Sequence, residues 1–285
     1  MATRTKNILQ EFQPLALQQH EQREESVGAL FHEQSKLTPQ RKNELGLRIA
    51  QLQSHPDLLR RISSSYKSYP YRPQVELPVA RLEPGRDLQE VIVTRRSSRQ
   101  FDPAAGLTLM ELSNLLQLSY GVTGSIPIGE GILQYLRATP SAGGLYPLEI
   151  YLVVQRVEGL EPGLYHYRVA HHALEQLERG DQTEWLKRSE AEWGMSAAAP
   201  VTVFVSAVFG RQTVKYRDRG YRFVLMEAGI LTQSLTLLAA YQGIHSCIMG
   251  GWVDDDVNGL FDLDGVNEGM LVGLCLGRGR QAAPK

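Results

Sequence analysis

The chain has 285 residues, 42% of them hydrophobic, and a formal net charge of −1 at pH 7. That apolar content is enough for a substantial core, and the near-neutral balance excludes bulk electrostatic attraction to nucleic acid or an anionic membrane. Cys247 and Cys275 are the only cysteines, and they support neither a disulfide framework nor a zinc site. Residues 1–26 hold no apolar run of signal-peptide type, so a reducing cytoplasm is the expected compartment.

Residues 1–85 read as an N-terminal helical extension, helical in pieces such as Gln40–Leu52. Pro70, Pro73, Pro78 and Pro84 make Ser68–Gly85 an extended connector, because each proline pushes the preceding residue out of the helical region. The boundary is placed near residue 86, with residues 86–285 as the main domain. Leu88–Thr94 opens it, followed by Arg95-Arg96-Ser97-Ser98-Arg99. Thr108 and Glu111 have the spacing of a capping box, and Leu109, Leu112, Leu115 and Leu116 follow on one helical face. Residues 121–131 are glycine-rich and read as a loop.

Strands are expected at Glu149–Val154, Val201–Val208 and Met270–Leu276, with a hairpin of Gly163–Val169 and Ala173–Leu177 around Ala170-His171-His172. Long helical stretches separate them, which predicts an α+β layer fold. A doubly wound parallel sheet needs shorter, regular alternation. Lys215–Gly243 is the central stretch: a cationic segment, Lys215–Arg222, runs straight into about five turns of largely apolar helix. Gly243 is placed to end it in the left-handed conformation. Arg222, Glu227 and Gln233 interrupt the apolar run, which marks a core helix instead of a membrane span.

Arg95, Arg96 and Arg99 around Ser97 suit phosphate oxygens, since guanidinium forks bind them bidentately. Taken alone, the cluster reads better as a solvated basic turn; the hydroxyl inside it and Phe101 ending it favour the phosphate reading. Neither a GxGxxG after a strand nor a Walker A sequence is present, so a Rossmann or P-loop site is not expected. Pro140–Pro147, with Gly143 and Gly144, gives a flat ligand access to backbone groups or forms a tight strand-entry turn. Cys247–Trp252 offers similar access beside an aromatic, and Arg278 and Arg280 add a second cationic point. The set suits a ligand with a flat ring system and a terminal phosphate. His171 and His172 read as exposed turn residues, His245 as a complement to a helix dipole, and Cys247 as a buried filler. Asp254–Asp256 are expected to face water or cap a helix starting near Val257.

RRSSRQF, PSAGGLYP-LEIYLVV, GLYHYRVAHHALEQL, KYRDRGYRF-VLMEAG and GLCLGRGR occur in that order. The set resembles the nitroreductase-like flavoproteins, and more narrowly the SagB/McbC-type dehydrogenases that oxidise thiazolines and oxazolines in ribosomally made peptides. The resemblance covers roughly residues 88–280, and Phe31–Lys36 resembles a short motif near the start of that branch. It implies a mainly antiparallel central sheet flanked by helices, and a homodimer with FMN at the interface. Arg95, Ser97 and Arg99 match positions that hold the FMN phosphate, and Arg96 a neighbouring contact. Ser141, Ala142 and Gly143 match the loop that the second subunit lays against the flavin ring. Met249 and Gly250 match backbone facing the flavin N5 edge, and Arg278 a late phosphate contact. Lys215 and Tyr216 match the Lys–Tyr pair tied to azoline oxidation. Ile230 and Ser234 depart from the pattern, where a His and an Asn are expected.

The function implied is an FMN-dependent azoline dehydrogenase acting on a precursor peptide, with a cyclodehydratase as partner. Either Lys215 or Tyr216 would take the ring proton while the other orients the ring or stabilises charge. Two alternatives stand beside it. One is an NAD(P)H-dependent nitro or quinone reductase; the other is a non-catalytic subunit that scaffolds a peptide-modifying complex through residues 1–85.

Overall fold

A computed structural model of the chain describes residues 26–191 and 194–280. The expectations for residues 1–25 lie outside them. The chain divides into two compact units between Arg48 and Ile49. The first carries α1 (Val27–Gln34), whose N-cap Ser26 accepts the Ala29 N–H, and the start of α2 (Pro39–Gln53). Residues 49–85, grouped by composition with the extension, belong by their contacts to the second unit. They supply α3 (Pro56–Ser63) and β1 (Gln74–Glu76).

The second unit is built on one seven-stranded sheet. After β1 its strands are β4 (Leu148–Val154), β5 (Gly163–Arg168), β6 (Ala173–Arg179), β7 (Val201–Val208), β8 (His245–Met249) and β9 (Glu268–Gly277), in the order β1-β6-β5-β4-β7-β9-β8. Every pairing is antiparallel. Each residue from Leu148 to Val154 is buried, so β4 reads as a continuous apolar run because both faces of the sheet are covered. Alternate residues go to opposite faces. Ile150, Leu152, Val203 and Val205 join one cluster, and Tyr151, Val153 and Phe204 join the other.

The first face is covered by α5 (Leu109–Tyr120) and α8 (Arg219–Tyr241). The capping box of α5 forms as expected: Thr108 Oγ1 accepts the Glu111 N–H at 3.2 Å, and Glu111 Oε2 accepts the Thr108 N–H at 2.9 Å. On α8, Val224, Ala228, Leu231 and Leu235 point inward while Tyr221, Leu225, Met226 and Ile230 are exposed. By length and composition α8 is apolar enough to cross a membrane; nine of its residues are buried within the protein. Gly243 follows it with φ +69°, the left-handed termination that the sequence predicts. Phe204, Trp252 and Phe261 pack on the opposite face with α6 (Thr183–Ser189) and α9 (Asp254–Leu260).

Four expectations are corrected. Residues 121–131 are not a loop: β2 (Val122–Gly129) and β3 (Ile132–Arg137) form a separate hairpin turning at Glu130–Gly131. Its glycines punctuate a two-stranded ladder, and an edge strand tolerates Pro127 because that position need not donate. The cationic segment does not run straight into the central helix. Lys215 and Tyr216 end a separate helix, α7 (Phe209–Tyr216), and Arg217 at φ +50° breaks the chain before α8. His172 is not a free turn residue. It is half-buried, with Nδ1 on Tyr167 Oη at 2.9 Å and Nε2 near Ser113 Oγ and the Pro78 carbonyl at 2.8 and 3.0 Å. Finally, β1 and β8 arise where proline and glycine suggested connectors. Asp254–Asp256 fill the first turn of α9, where carboxylates complement the helix dipole.

Candidate active site

Two clusters contain the sequence-predicted site residues, and the sheet register fixes where each lies. The first is at the start of β8. Arg95 follows α4 (Leu88–Thr94) as its C-cap, and the chain then runs beside β8, with Ser97 bridged to Ser246 and the Ser98 N–H on the Ser246 carbonyl at 2.9 Å. Arg96, Ser97 and Arg99 are exposed, and Arg95 is half-buried. Phe101 pairs with Gly279, and the Asp102 N–H reaches the Arg278 carbonyl at 2.9 Å. The two arginine-bearing segments, 179 positions apart from Arg99 to Arg278, are thus adjacent in space. The Arg278 guanidinium is engaged by the Glu111 carboxylate and, at 3.4 Å, by the Gly243 carbonyl. Arg96 donates to the Val93 and Arg95 carbonyls at 2.9 and 2.8 Å. His245 Nδ1 lies 3.0 Å from Ser98 Oγ. Met249 and Gly250 stand at the far end of the same strand, with the Met249 side chain buried against Cys275 Sγ at 3.3 Å.

The second cluster lies beyond the end of β7. Ser141, Ala142 and Gly143 form a turn in which Gly143, Gly144 and Tyr146 all have positive φ, at 68°, 66° and 46°. Gly143 lies against the last turn of α7. A Cβ there would be 2.6 Å from Tyr216 Oη and 2.7 Å from Lys215 Nζ. No other residue fits that wedge, on grounds of both space and backbone. Lys215 Nζ lies 5.3 Å from the centroid of the Tyr216 ring, within range of a cation–π contact. Both side chains reach the turn because they end a helix; strand neighbours would point to opposite faces.

Burial shifts this pair in opposite directions. It lowers the Lys215 pKa, favouring the neutral amine, and raises that of Tyr216, favouring the phenol. Burial, and not the nearby arginines weighed from the sequence, is what moves Lys215. Lys215 borders a pocket of about 630 Å³, whose lining also includes Leu52, Leu59, Ile126, Ile128 and Arg137.

A buried polar network supports the turn, and most of it is invisible in the sequence. Arg211 of α7 donates to the Tyr146 carbonyl at 3.1 Å and pairs with Glu149 at 2.6 Å. Glu149 meets His166 at 3.1 Å, and His166 meets Glu175 at 2.8 Å. Burial alone would raise the Glu149 pKa, but Arg211 and the His166 bond outweigh it and hold the carboxyl at about 2. Burial alone would lower His166; its two carboxylate partners leave it raised. Arg137, 7% exposed, sits among the rings of Tyr66, Tyr120 and Tyr146 at 4.6–5.2 Å. Glu227 announces itself in the sequence only as a carboxylate interrupting an apolar helix. Ile230 and Ser234 lie on the outer side of α8, where the Ser234 hydroxyl bonds the Ile230 carbonyl at 3.0 Å.

The nitroreductase family pattern matches residues 92–278. The chain belongs to the nitroreductase family. Among curated proteins, this nitroreductase-family chain is 34% identical over 170 residues to MJ1384 of Methanocaldococcus jannaschii, covering 60% of this chain and 81% of that protein. It is 30% identical over 133 residues to the microcin B17-processing protein McbC of Escherichia coli, covering 45% of this chain and 49% of McbC. It is 31% identical over 113 residues to the trifolitoxin-processing protein TfxB of Rhizobium leguminosarum, covering 38% of this chain and 30% of TfxB. The chain therefore spans half or less of the two peptide-processing relatives. Among solved structures, it matches a chain of the E. coli microcin synthetase McbBCD complex with truncated pro-MccB17 bound. That match has a TM-score of 0.54 and 25% identity, over 76% of this chain and 80% of that one.

Proposed function

We propose that the chain is an FMN-dependent dehydrogenase that oxidises thiazoline or oxazoline rings in a ribosomally made peptide. The observation that carries this reading is the wedge of Gly143 between Lys215 Nζ and Tyr216 Oη, beside a pocket large enough for part of a peptide. The peptide-processing relatives support the substrate class, and the complex containing a precursor peptide supports a synthetase assembly as its setting.

The residues present fit the flavin. Arg95, Ser97 and Arg99 would hold its phosphate beside the start of β8, with Arg96 and Arg278 next to them. Met249 and Gly250 would meet the ring at the other end of that strand. Ser246 and Met249 are three residues apart, roughly 10 Å by strand rise. When bound, FMN would accept the hydride from the azoline ring and pass its electrons to O2. Lys215 would take the ring proton at Nζ, because burial keeps the neutral amine accessible below the usual lysine range. Tyr216, held as the phenol, would donate a hydrogen bond that orients the ring. Ser141, Ala142 and Gly143 would form the backbone wall against which the flat ligand lies.

The site needs two chains on this reading. β7 runs from Val201, near the arginine cluster, to Val208, which leads directly into α7. Its eight residues, seven steps of strand rise, separate the clusters by roughly 23 Å within one chain. Leu88, Ile92 and Val93 of α4 and Leu225, Met226 and Ile230 of α8 are exposed apolar side chains, which suits burial against a second copy.

The test is a mass measurement on an azoline-bearing peptide incubated with the yellow protein. A loss of about 2 Da per ring is expected for hydride transfer to the flavin. Rapid bleaching by NADPH with no response to the peptide would instead favour a nitro or quinone reductase, and colourless protein that takes up no FMN would favour a scaffold subunit.

A further inference from the structure

Arg137 ends β3 and is 7% exposed. Three tyrosine rings, from Tyr66, from Tyr120 of α5 and from Tyr146 of the turn, surround its guanidinium at 4.6–5.2 Å. Ring faces attract a cation, but its in-plane N–H groups still require oxygen acceptors. Nε and Nη1 of Arg137 are buried and have no hydrogen-bond partner among the described residues. Arg211 of α7 is the contrast, with Glu149 at 2.6 Å and the Tyr146 carbonyl at 3.1 Å. A guanidinium keeps its charge when buried, and a buried charge is costly until it is paired and hydrogen-bonded.

The Arg137 side chain lines the pocket of about 630 Å³ that Lys215 borders. Much of the wall is aliphatic, with Leu52 of α2, Leu59 and Ile62 of α3, and Ile126 and Ile128 of β2. Two hydrogen bonds fasten β3 to the turn: the Arg137 backbone N–H donates to Tyr146 Oη at 3.0 Å, and Gln134 Nε2 donates to the Gly144 carbonyl at 2.9 Å. Gly143 of the same turn lies against Lys215, so the guanidinium and the amine are held on one frame. Aliphatic walls around an unpartnered cation suit a ligand with an apolar body and a planar, anionic oxygen group. Among the groups a peptide offers, a carboxylate matches, because its two coplanar oxygens accept charge-assisted bonds from a guanidinium fork.

We propose that Arg137 anchors a carboxylate subsite: the pocket beside Lys215 takes a part of the substrate peptide, next to the azoline ring, that has an aliphatic body and a carboxylate. The carboxylate comes from an acidic side chain or from the end of the peptide. This rests on the reading of Lys215 as the substrate-facing base. Arg137 then selects which rings are oxidised, and Lys215 acts on the ring so delivered.

The test has two arms, both on flavin-loaded protein. In the first, thiazoline peptides are compared with wild type as matched pairs: Glu against Gln before the ring, Glu against Gln after it, and a terminal Gly after it as acid against amide. In at least one pair the acid should have a KM about 10-fold or more below that of its amide, the effect of one charge-assisted bond. The pair that responds identifies the source of the carboxylate, and equal KM values in every pair overturn the proposal. The second arm measures binding of hexanoate and hexanamide by calorimetry. Wild type should prefer hexanoate by about 10-fold or more, and Arg137→Gln should lose that preference. If Arg137→Gln does not fold, Ile128→Asp sets a rival carboxylate in the wall and should weaken hexanoate alone. A preference kept in Arg137→Gln but lost in Lys215→Ala assigns the anion to Lys215 and sinks the subsite. So does an Arg137→Gln protein that loses FMN and binds acid and amide as wild type does. If wild type oxidises no azoline, the functional reading fails by itself, and the hexanoate comparison still decides the subsite.

Discussion

The two cationic segments look alike in the sequence and are physically unlike in the fold. Arg95–Arg99 runs beside β8 with Arg96 and Arg99 exposed, and carries permanent charges. Lys215–Tyr216 ends a helix half-buried against a glycine, and burial moves each of its ionisable groups toward neutrality. A fixed, solvated cation can hold an anion but exchanges no proton near neutral pH; a desolvated amine can. The difference assigns separate tasks to two runs of basic residues that composition cannot distinguish.

The contrast is broken most directly at Lys215. Lys215→Ala is expected to lower azoline oxidation by about 10²-fold or more while the protein stays yellow. In the wild type, kcat/KM should rise with pH to an inflection below the ordinary lysine value of 10.5, and that limb should vanish in the variant. A yellow Lys215→Ala protein with full activity would remove the proton-transfer role altogether.

Arg99→Ala should have the opposite signature. Loss of one charge-assisted hydrogen bond, about 1.5–3 kcal/mol, weakens FMN retention by roughly 10- to 150-fold. The rate at saturating FMN should stay near that of the wild type. Equilibrium dialysis against FMN, followed by assay with added cofactor, separates the two effects.

Gly143→Ala tests whether the wedge is tight. The added methyl would sit within 2.7 Å of both Lys215 Nζ and Tyr216 Oη, on a residue at φ +68°. Strain of about 1–3 kcal/mol is expected, with kcat reduced about 10-fold. Melting and rate measurements on one preparation decide it.

The smallest effect concerns the network behind the turn. The folded-state pKa of His166 is raised above its ordinary 6.5, so its contribution to stability is complete below that value and declines as pH rises through the raised one. Glu149 is held at about 2 against an ordinary 4.5. Its contribution is present above 4.5 and is lost as pH falls toward 2. The melting temperature should drop by a few degrees on the alkaline side, and His166→Gln should flatten that limb. The size follows from about 2–4 °C per kcal/mol for a domain of this size.

Much of the fold is legible in the residues. Val201–Val208 appears as expected, and the Thr108–Glu111 cap and the Ala170–His172 hairpin tip follow from local chemistry alone. What escapes is set by distant partners. β1 exists because β6 offers an edge, and nothing in a proline-rich connector reports that. The break at Arg217 requires a positive φ at an arginine, against the usual preference for glycine. For the site, the types of residue are readable but not their separation within one chain, which comes from the β7 register. Arg137 carries no local signal at all, since its meaning lies in three tyrosine rings drawn from other segments.

The span of β7 has a consequence for genetics as well as geometry. If the arginine cluster of one chain works with the lysine pair of another, two inactive variants can rescue each other. A mixed dimer of Lys215→Ala and Arg99→Ala chains would contain one site with both defects and one with neither. Random reassortment of equal amounts should then restore about one quarter of wild-type activity, the share that two-fold symmetry allows. Neither variant alone should approach that level at limiting FMN.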